Sequence, residues 1–424
     1  MSVLRTAIFS GMLLAGVMGP QAQVQAAQLD AQLRSAAMAQ QPAVIETLRD
    51  LVTVESGSTD HEGVGKLMAY LDKRLSALDA KVERVASATG GPDLVRGTFS
   101  GNGKLKVMLI AHADTVYDRG ILEKEPFQQK GNLLYGPGIA DDKGGIAVIL
   151  HSLALLKARG WNDYATVTVL FNPDEEIGSP GSGETIAKLA DEHDVVLSFE
   201  PSPAKAVIES EGVLLSAAGT SQVRMTVQGL SAHAGAAPEQ GRNALVELAH
   251  QIIQTKDVAT GVPGAQLNWT TANAGTARNQ IPERAEVGGD ARVTQADSNA
   301  NLLAALQAKV KESHAVPDTT TTVTLEPLRP IYVAGERGRE LADLAQEIYA
   351  ELDGRTLLMH PTTNGGTDAG FAGRSGHAAV LEGLGLAGWG YHARNEYIEI
   401  DSIPPRLYLA SRMLIELAKR AQRR

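Results

Sequence analysis

The chain has 424 residues, a formal net charge of -10 and no cysteine. That length holds two domains with cores of their own, and the acidic balance leaves no basic footprint for nucleic acid, which is excluded as a partner. Without thiols there are no disulfides or sulfur ligands, so any metal must sit on nitrogen and oxygen.

Residues 1–26 read as a secretory signal: Arg5 supplies positive charge, residues 7–18 are a short apolar stretch, and Val24-Gln25-Ala26 fits small-residue cleavage. Cleavage is expected after Ala26, making the protein periplasmic or secreted. The apolar stretch is well short of the roughly 20 residues a spanning helix needs, so no stable membrane anchor is expected. Gln41-Pro42 then opens a predicted helix with Ile45, Leu48, Leu51 and Val52 on one face, proline being tolerated in a first turn. Val64, Leu67, Met68, Leu71, Leu75 and Leu78 recur at three- and four-residue steps and predict a second. Strands follow at 81–85 and 94–99, the latter joined through Ser100-Gly101-Asn102-Gly103 to 106–111 by a hairpin-type turn.

Apolar runs at 106–111, 166–171 and 195–199 end respectively in His112-Ala113-Asp114, Asp174-Glu175-Glu176 and Glu200-Pro201, with helical patterns between them. Strands alternating with helices predict an α/β fold, a helix-covered and mostly parallel sheet. In such sheets ligands gather at the carboxyl ends of the strands, where each of these runs carries its acid or imidazole. From about residue 220 the texture changes to strand 223–227, helix 243–254, strands 267–272 and 285–293, helix 301–311 and strand 321–325. That order is the split two-layer sandwich of ferredoxin-like α+β domains. The expected organisation is therefore a signal at 1–26, a catalytic domain formed by two separated segments, 27–219 and 329–424, and a domain inserted between them at 220–328. The returning segment is read as helix 339–352, loop 362–368, strand 378–382, loop 383–395 and a final helix near 405–421.

Asp141, in Gly136-Pro137-Gly138-Ile139-Ala140-Asp141-Asp142-Lys143-Gly144-Gly145, is the pivot of the expected site. Its two oxygens can bridge two cations, and flanking glycines let the backbone turn tightly. An isolated Asp-Asp would more often cap the helix beginning near Gly145. His112 and Asp114 lie two apart at a strand end, so both emerge on one face, suiting a ligand and the acid that orients it. Glu175 and Glu176 are adjacent, so one can coordinate while the other faces substrate as general base. Glu200 at the next strand end and His392 in a late glycine-rich loop complete the count. Oxygen and imidazole donors fit zinc first, then cobalt or manganese.

Together His112-x-Asp114-Thr115, Gly138-x-x-Asp141-Asp142-Lys143-Gly144-Gly145, Asp174-Glu175-Glu176-x-Gly178-Ser179, Ser198-Phe199-Glu200-Pro201 and Gly390-Tyr391-His392 resemble the co-catalytic dizinc aminoacylase/carboxypeptidase family, most closely its folate-cleaving glutamate carboxypeptidases. The resemblance implies two zinc ions per subunit, one on His112, Asp141 and Glu200, the other on Asp141, Glu176 and His392. It implies Glu175 as base with Asp114 behind His112, and a small peptide or N-acyl amino acid as substrate. Ser231-Ala232-His233-Ala234-Gly235 matches the inserted-domain motif, whose His reaches the partner subunit's active site and helps hold the oxyanion, implying a homodimer. Asn279, Arg292, Arg329, Thr363 and Gly366 match substrate-side positions. One departure stands out: the glutamate-releasing enzymes carry a lysine after the Phe-Glu-Pro segment, whereas residues 207–219 here offer Glu209 and Glu211 and no basic residue. The expected activity is release of a C-terminal amino acid, with an N-acyl amino acid deacylase or a dipeptidase as the nearest alternatives. A non-catalytic periplasmic metal- or solute-binding protein is the alternative from another class, and a nucleotide-binding enzyme built on Gly136-x-Gly138 lacks the full phosphate fingerprint.

Overall fold

The computed structural model describes residues 29–204 and 210–423, so the leader expected at 1–26 lies outside the described residues. At its centre is a six-stranded sheet in the order Lys81–Val85, Leu94–Ser100, Tyr164–Asn172, Leu105–His112, Val195–Ser198, Ala379–Leu381. The last four run parallel and the first two form an antiparallel margin. Val107, Leu109, Val169, Leu170, Val196 and Leu381 are buried in it, as strands covered on both faces require. The hairpin expected through residues 100–103 does not form. Tyr164–Asn172 slots between the two strands it would have joined, antiparallel to Leu94–Ser100 and parallel to Leu105–His112. Gly101 and Gly103 instead lie against the backbone of residues 162–165, so close that a Cβ at Gly103 would stand 2.2 Å from the Asp163 carbonyl oxygen.

Three helices pack on one another across the sheet, Ala31–Val52, Lys143–Ala158 and Ile403–Arg423. The first begins well before Pro42, which lies inside it; Asp30 caps its start by accepting from the Leu33 N–H. Proline there removes one helical hydrogen bond. Burial of Leu33, Ala37, Val44, Leu48 and Leu51 against the other two helices offsets that loss, an override that local propensity could not reveal. His151 of the second helix ties the pair together, its Nε2 2.8 Å from Thr47 Oγ1 and its Nδ1 3.0 Å from Gln40 Nε2.

Residues 219–329 build a four-stranded antiparallel sheet in the order Ala265–Ala274, Arg284–Val293, Gly219–Gln228, Thr320–Arg329, with helices Ala244–Thr255 and Ser298–Lys309 against it. Burial alternates along Arg284–Val293 with the period of two that a half-covered strand shows. Val223, Met225, Leu248, Val287, Leu302 and Leu306 form its core, separate from that of the large sheet.

A third, five-stranded sheet was not foreseen from the sequence. It orders Gln128–Lys130, Leu133–Tyr135, Tyr397–Glu399, Ala387–Trp389, Ser202–Pro203. Leu134 pairs with Ile398 and Tyr135 with Tyr397, so the segment entering the Asp141 turn is registered against the one leaving the His392 loop.

Candidate metal centre

His112 ends its strand at the carboxyl edge of the large sheet; Glu175 and Glu176 follow the neighbouring strand, and Glu200 the next. Asp141 lies in the turn before helix Lys143–Ala158, joined to Asp142 by a cis peptide bond. The two acids divide the work. Asp142 is the helix cap, accepting from the Gly145 N–H at 3.1 Å and the His112 N–H at 3.3 Å, while Asp141 turns to the site. His112 Nε2 stands 2.9 Å from Asp141 Oδ1 and 3.7 Å from Glu200 Oε1. His392 Nε2 stands 3.3 Å from Asp141 Oδ2 and 2.9 Å from Glu176 Oε2. The ligand atoms of His112, Asp141 and Glu200, and those of Asp141, Glu176 and His392, form two groups within 4.8 Å that share Asp141.

Asp114 is fully buried behind His112. The imidazole Nδ1 lies 3.1 Å from the Asp114 main-chain oxygen and 3.4 Å from its carboxylate, which directs Nε2 inward. The carboxylate is also a clamp: it accepts from the Glu175 N–H at 3.0 Å, the Glu176 N–H at 3.1 Å and Ser58 Oγ at 2.7 Å. It thereby pins the acidic turn to the His112 strand, a role invisible in the spacing because the turn is far along the chain.

Glu175 is buried, and that burial pushes its carboxyl up to about 8 against the opposing Arg329 and His112 charges. Burial likewise raises Glu200 well above the carboxylate range. Asp141 and Glu176, through their hydrogen bonds, raise His392 to about 10. Four carboxylates, those of Asp141, Glu175, Glu176 and Glu200, face two imidazoles and the Arg329 guanidinium, an excess of acidic over basic groups beside the cleft. A pair of divalent cations on this nitrogen and oxygen donor set would relieve that excess, so the residues fit the metals expected from the sequence.

The site opens on a cleft of about 820 Å³. Arg292, Arg329, Thr363 and Gly366 line it. Arg329, however, is committed within the protein: Nη1 lies 2.7 Å from Glu175 Oε1 and Nη2 donates to the Glu175 carbonyl oxygen. Arg292 pairs with Asp290 at 2.8 Å. His233 and Asn279 do not line the cleft. They lie together and exposed on a small ladder where His233 faces Gln280 and the Ala234 N–H donates to the Asn279 carbonyl. His233 Nδ1 accepts from the Gly235 and Ala236 N–H groups at 3.2 and 3.1 Å, so the proton sits on the outward Nε2. Gly212, Val213 and Leu214 line one wall of the cleft, whereas Glu211 turns away into a buried pair with Arg406 at 2.8 Å.

The family described as peptidase family M20/M25/M40 matches residues 108–416. The chain belongs to that family. Similar chains include carboxypeptidase G2 of Pseudomonas sp. (strain RS-16), 42% identical over 419 residues and 98% of each chain. Another, uncharacterized protein YqjE of Bacillus subtilis (strain 168), is 23% identical over 399 residues, 90% of this chain and all 100% of that one. Two solved structures share the fold. The M20 metallo-carboxypeptidase Sso-CP2 of Sulfolobus solfataricus superposes with a TM-score of 0.69 at 17% identity, covering 89% of this chain and 99% of that one. A tripeptidase of Staphylococcus aureus gives 0.72 at 19% identity, with 89% and 99% covered. The protein is thus an M20 metallopeptidase-family enzyme, and the reading as a non-catalytic binding protein falls away.

Sequence reasoning passed over three groups around this M20 centre. Glu396 accepts from the Gly138, Ala140 and Asp141 N–H groups. Asp368 accepts from Asn172 Nδ2 at 2.7 Å and from Ser179 Oγ. Glu382, at the end of the parallel edge strand, is fully buried and raised to about 7 by burial. Only Glu382 had a visible signal, an acid directly after an apolar run as at Glu200.

Proposed function

We propose that the protein is an exported, homodimeric dizinc carboxypeptidase that releases a C-terminal amino acid from a small peptide or an N-acyl amino acid. The observation that carries this reading is the sharing of Asp141 between two ligand groups with Glu175 beside them. His112, Asp141 and Glu200 would hold one zinc, and Asp141, Glu176 and His392 the other. Bound there, the ions would polarise the scissile carbonyl and acidify the attacking water. Glu175 takes the proton from that water and returns it to the leaving amine. Asp114 keeps the His112 ring and the Glu175 backbone in place while this happens. The similarity to a chain named carboxypeptidase supports release from the C-terminal end.

Residues 220–328 would act as the dimerisation domain. Leu245, Val246 and Ile253 leave an apolar face exposed on its helix, Ile253 at 68%. Partner contact there would cover that face and bring His233 and Asn279 to the neighbouring subunit's cleft, where His233 Nε2–H can donate to the developing oxyanion. Gly212, Val213 and Leu214 form one wall of a cleft that Arg292, Arg329 and His360 also line, and release of glutamate against neutral C-terminal residues is the comparison that sets the specificity. The test pairs Glu175→Gln with a release assay over N-acyl and dipeptidyl substrates. Hydrolysis should fall by orders of magnitude while bound zinc stays at two per chain; a variant that keeps its activity would remove the proposed base.

A further inference from the structure

We infer that Glu396 is a positioning residue that sets the bridging aspartate and the His392 loop in register before any metal arrives. The inference rests on the dizinc reading above. Glu396 is 3% exposed, four residues beyond His392 in the chain. Its Oε1 accepts from the Ala140 N–H at 2.8 Å and the Asp141 N–H at 3.0 Å. Its Oε2 accepts from the Gly138 N–H at 2.8 Å and Tyr117 OH at 2.8 Å. Its main-chain oxygen accepts from the Gly136 N–H at 3.1 Å. One side chain therefore satisfies three donors of the turn that presents Asp141, which the turn itself cannot pair and which would otherwise be buried and orphaned.

The same residue anchors the other loop. His392 sits at φ 60 and Asn395 at φ 65, left-handed conformations that non-glycine residues adopt only when their surroundings impose them. Tyr117 OH lies 2.8 Å from the Ala393 carbonyl as well as from Glu396, so it joins the crest of the loop to its base. Asp141 and His392 thus hang from one clamp, whereas His112 and Glu200 are fixed independently by strands of the large sheet. This asymmetry gives the clamp a signature that general destabilisation lacks. Weakening it should loosen the ion held by Asp141, Glu176 and His392 more than the ion held by His112, Asp141 and Glu200.

The test is a zinc-buffer titration of the full-length protein, wild type against Glu396→Gln and Tyr117→Phe, with melting of the metal-free forms measured alongside. Gln presents a donor where the turn also presents donors, so the clamp opens at one oxygen. Wild type should bind two zinc ions; Glu396→Gln should keep one and bind the other roughly 10–100-fold more weakly, with excess zinc restoring occupancy. Tyr117→Phe should shift the same ion in the same direction by less, and it carries the test if the Gln variant does not fold. Equal loss of both ions, or unchanged affinity for both in a variant that merely melts earlier, would overturn the inference. A wild-type protein that fails to bind two zinc ions would instead overturn the dizinc reading.

Discussion

The large sheet and the small antiparallel sheet fulfil their roles differently. In the large one every group expected to act is buried or aimed inward within a single chain: His112, Asp114, Glu175 and Glu200 leave strand ends side by side, and Asp141 closes the cluster. The domain of the small sheet leaves its two expected contributors, His233 and Asn279, exposed on a separate two-stranded ladder and its helix residues Leu245, Val246 and Ile253 exposed as well. The first region gathers its two candidate ligand groups within one chain; the second keeps its expected contributors apart from the cleft. Because the two regions have separate cores, the module can be altered without disturbing the candidate ligand groups.

The sharpest way to break this contrast is His233→Ala. On the dimeric reading it lowers turnover by about 10²–10³-fold, the usual cost of losing one oxyanion donor, and leaves two zinc ions bound. Mixing it with Glu175→Gln subunits should regain some of the activity, because one of the two sites in a mixed dimer then has both groups. Activity unchanged by His233→Ala would confine catalysis to the large sheet.

Core substitutions sharpen the independence of the two regions. Leu109→Ala and Leu248→Ala each empty a fully buried site and should cost about 2–5 kcal/mol in their own modules. Differential scanning calorimetry with zinc analysis should show Leu109→Ala weakening metal retention and Leu248→Ala sparing it. A smaller effect concerns His151, whose burial lowers its pKa from 6.5 to about 4. The unfolded chain takes up this proton near pH 6.5 while the native chain resists it. The resulting stabilisation is full above pH 6.5 and is lost as pH falls toward 4, up to about 3 kcal/mol. Denaturant melts of wild type and His151→Gln should show a shallower loss of stability across that window in the variant. Smallest of all, Trp389, exposed on the cleft rim and packed against Tyr391 at 5.2 Å, should contribute to substrate grip. Trp389→Ala is expected to raise KM a few-fold with kcat nearly unchanged.

The large sheet and part of the candidate ligand cluster were legible in the sequence, because His112, Glu176 and Glu200 follow apolar runs whose ends the fold brings together at one edge, while Asp141 and His392 come from glycine-rich turns. The sequence also showed the alternation that builds the small sheet. What escaped notice depends on partners distant in sequence. Glu396 bonds to backbone N–H groups, which leave no trace in residue types. Arg329 matches a substrate-side position by resemblance, yet Glu175, on another element, takes up its guanidinium. Pro42 suggested a helix start, but burial of Leu33 and Ala37 extends the helix past it. Gly101 and Gly103 suggested a hairpin, while their missing side chains serve close passage beside residues 162–165.

The central claim is that one aspartate carries two ions. Crystals grown with zinc and measured at the zinc absorption edge should show two anomalous peaks roughly 3.5–4 Å apart, one beside His112 and Glu200, the other beside Glu176 and His392, with an Asp141 oxygen on each. A single peak, or a pair of peaks that leaves Asp141 uncoordinated, would contradict it.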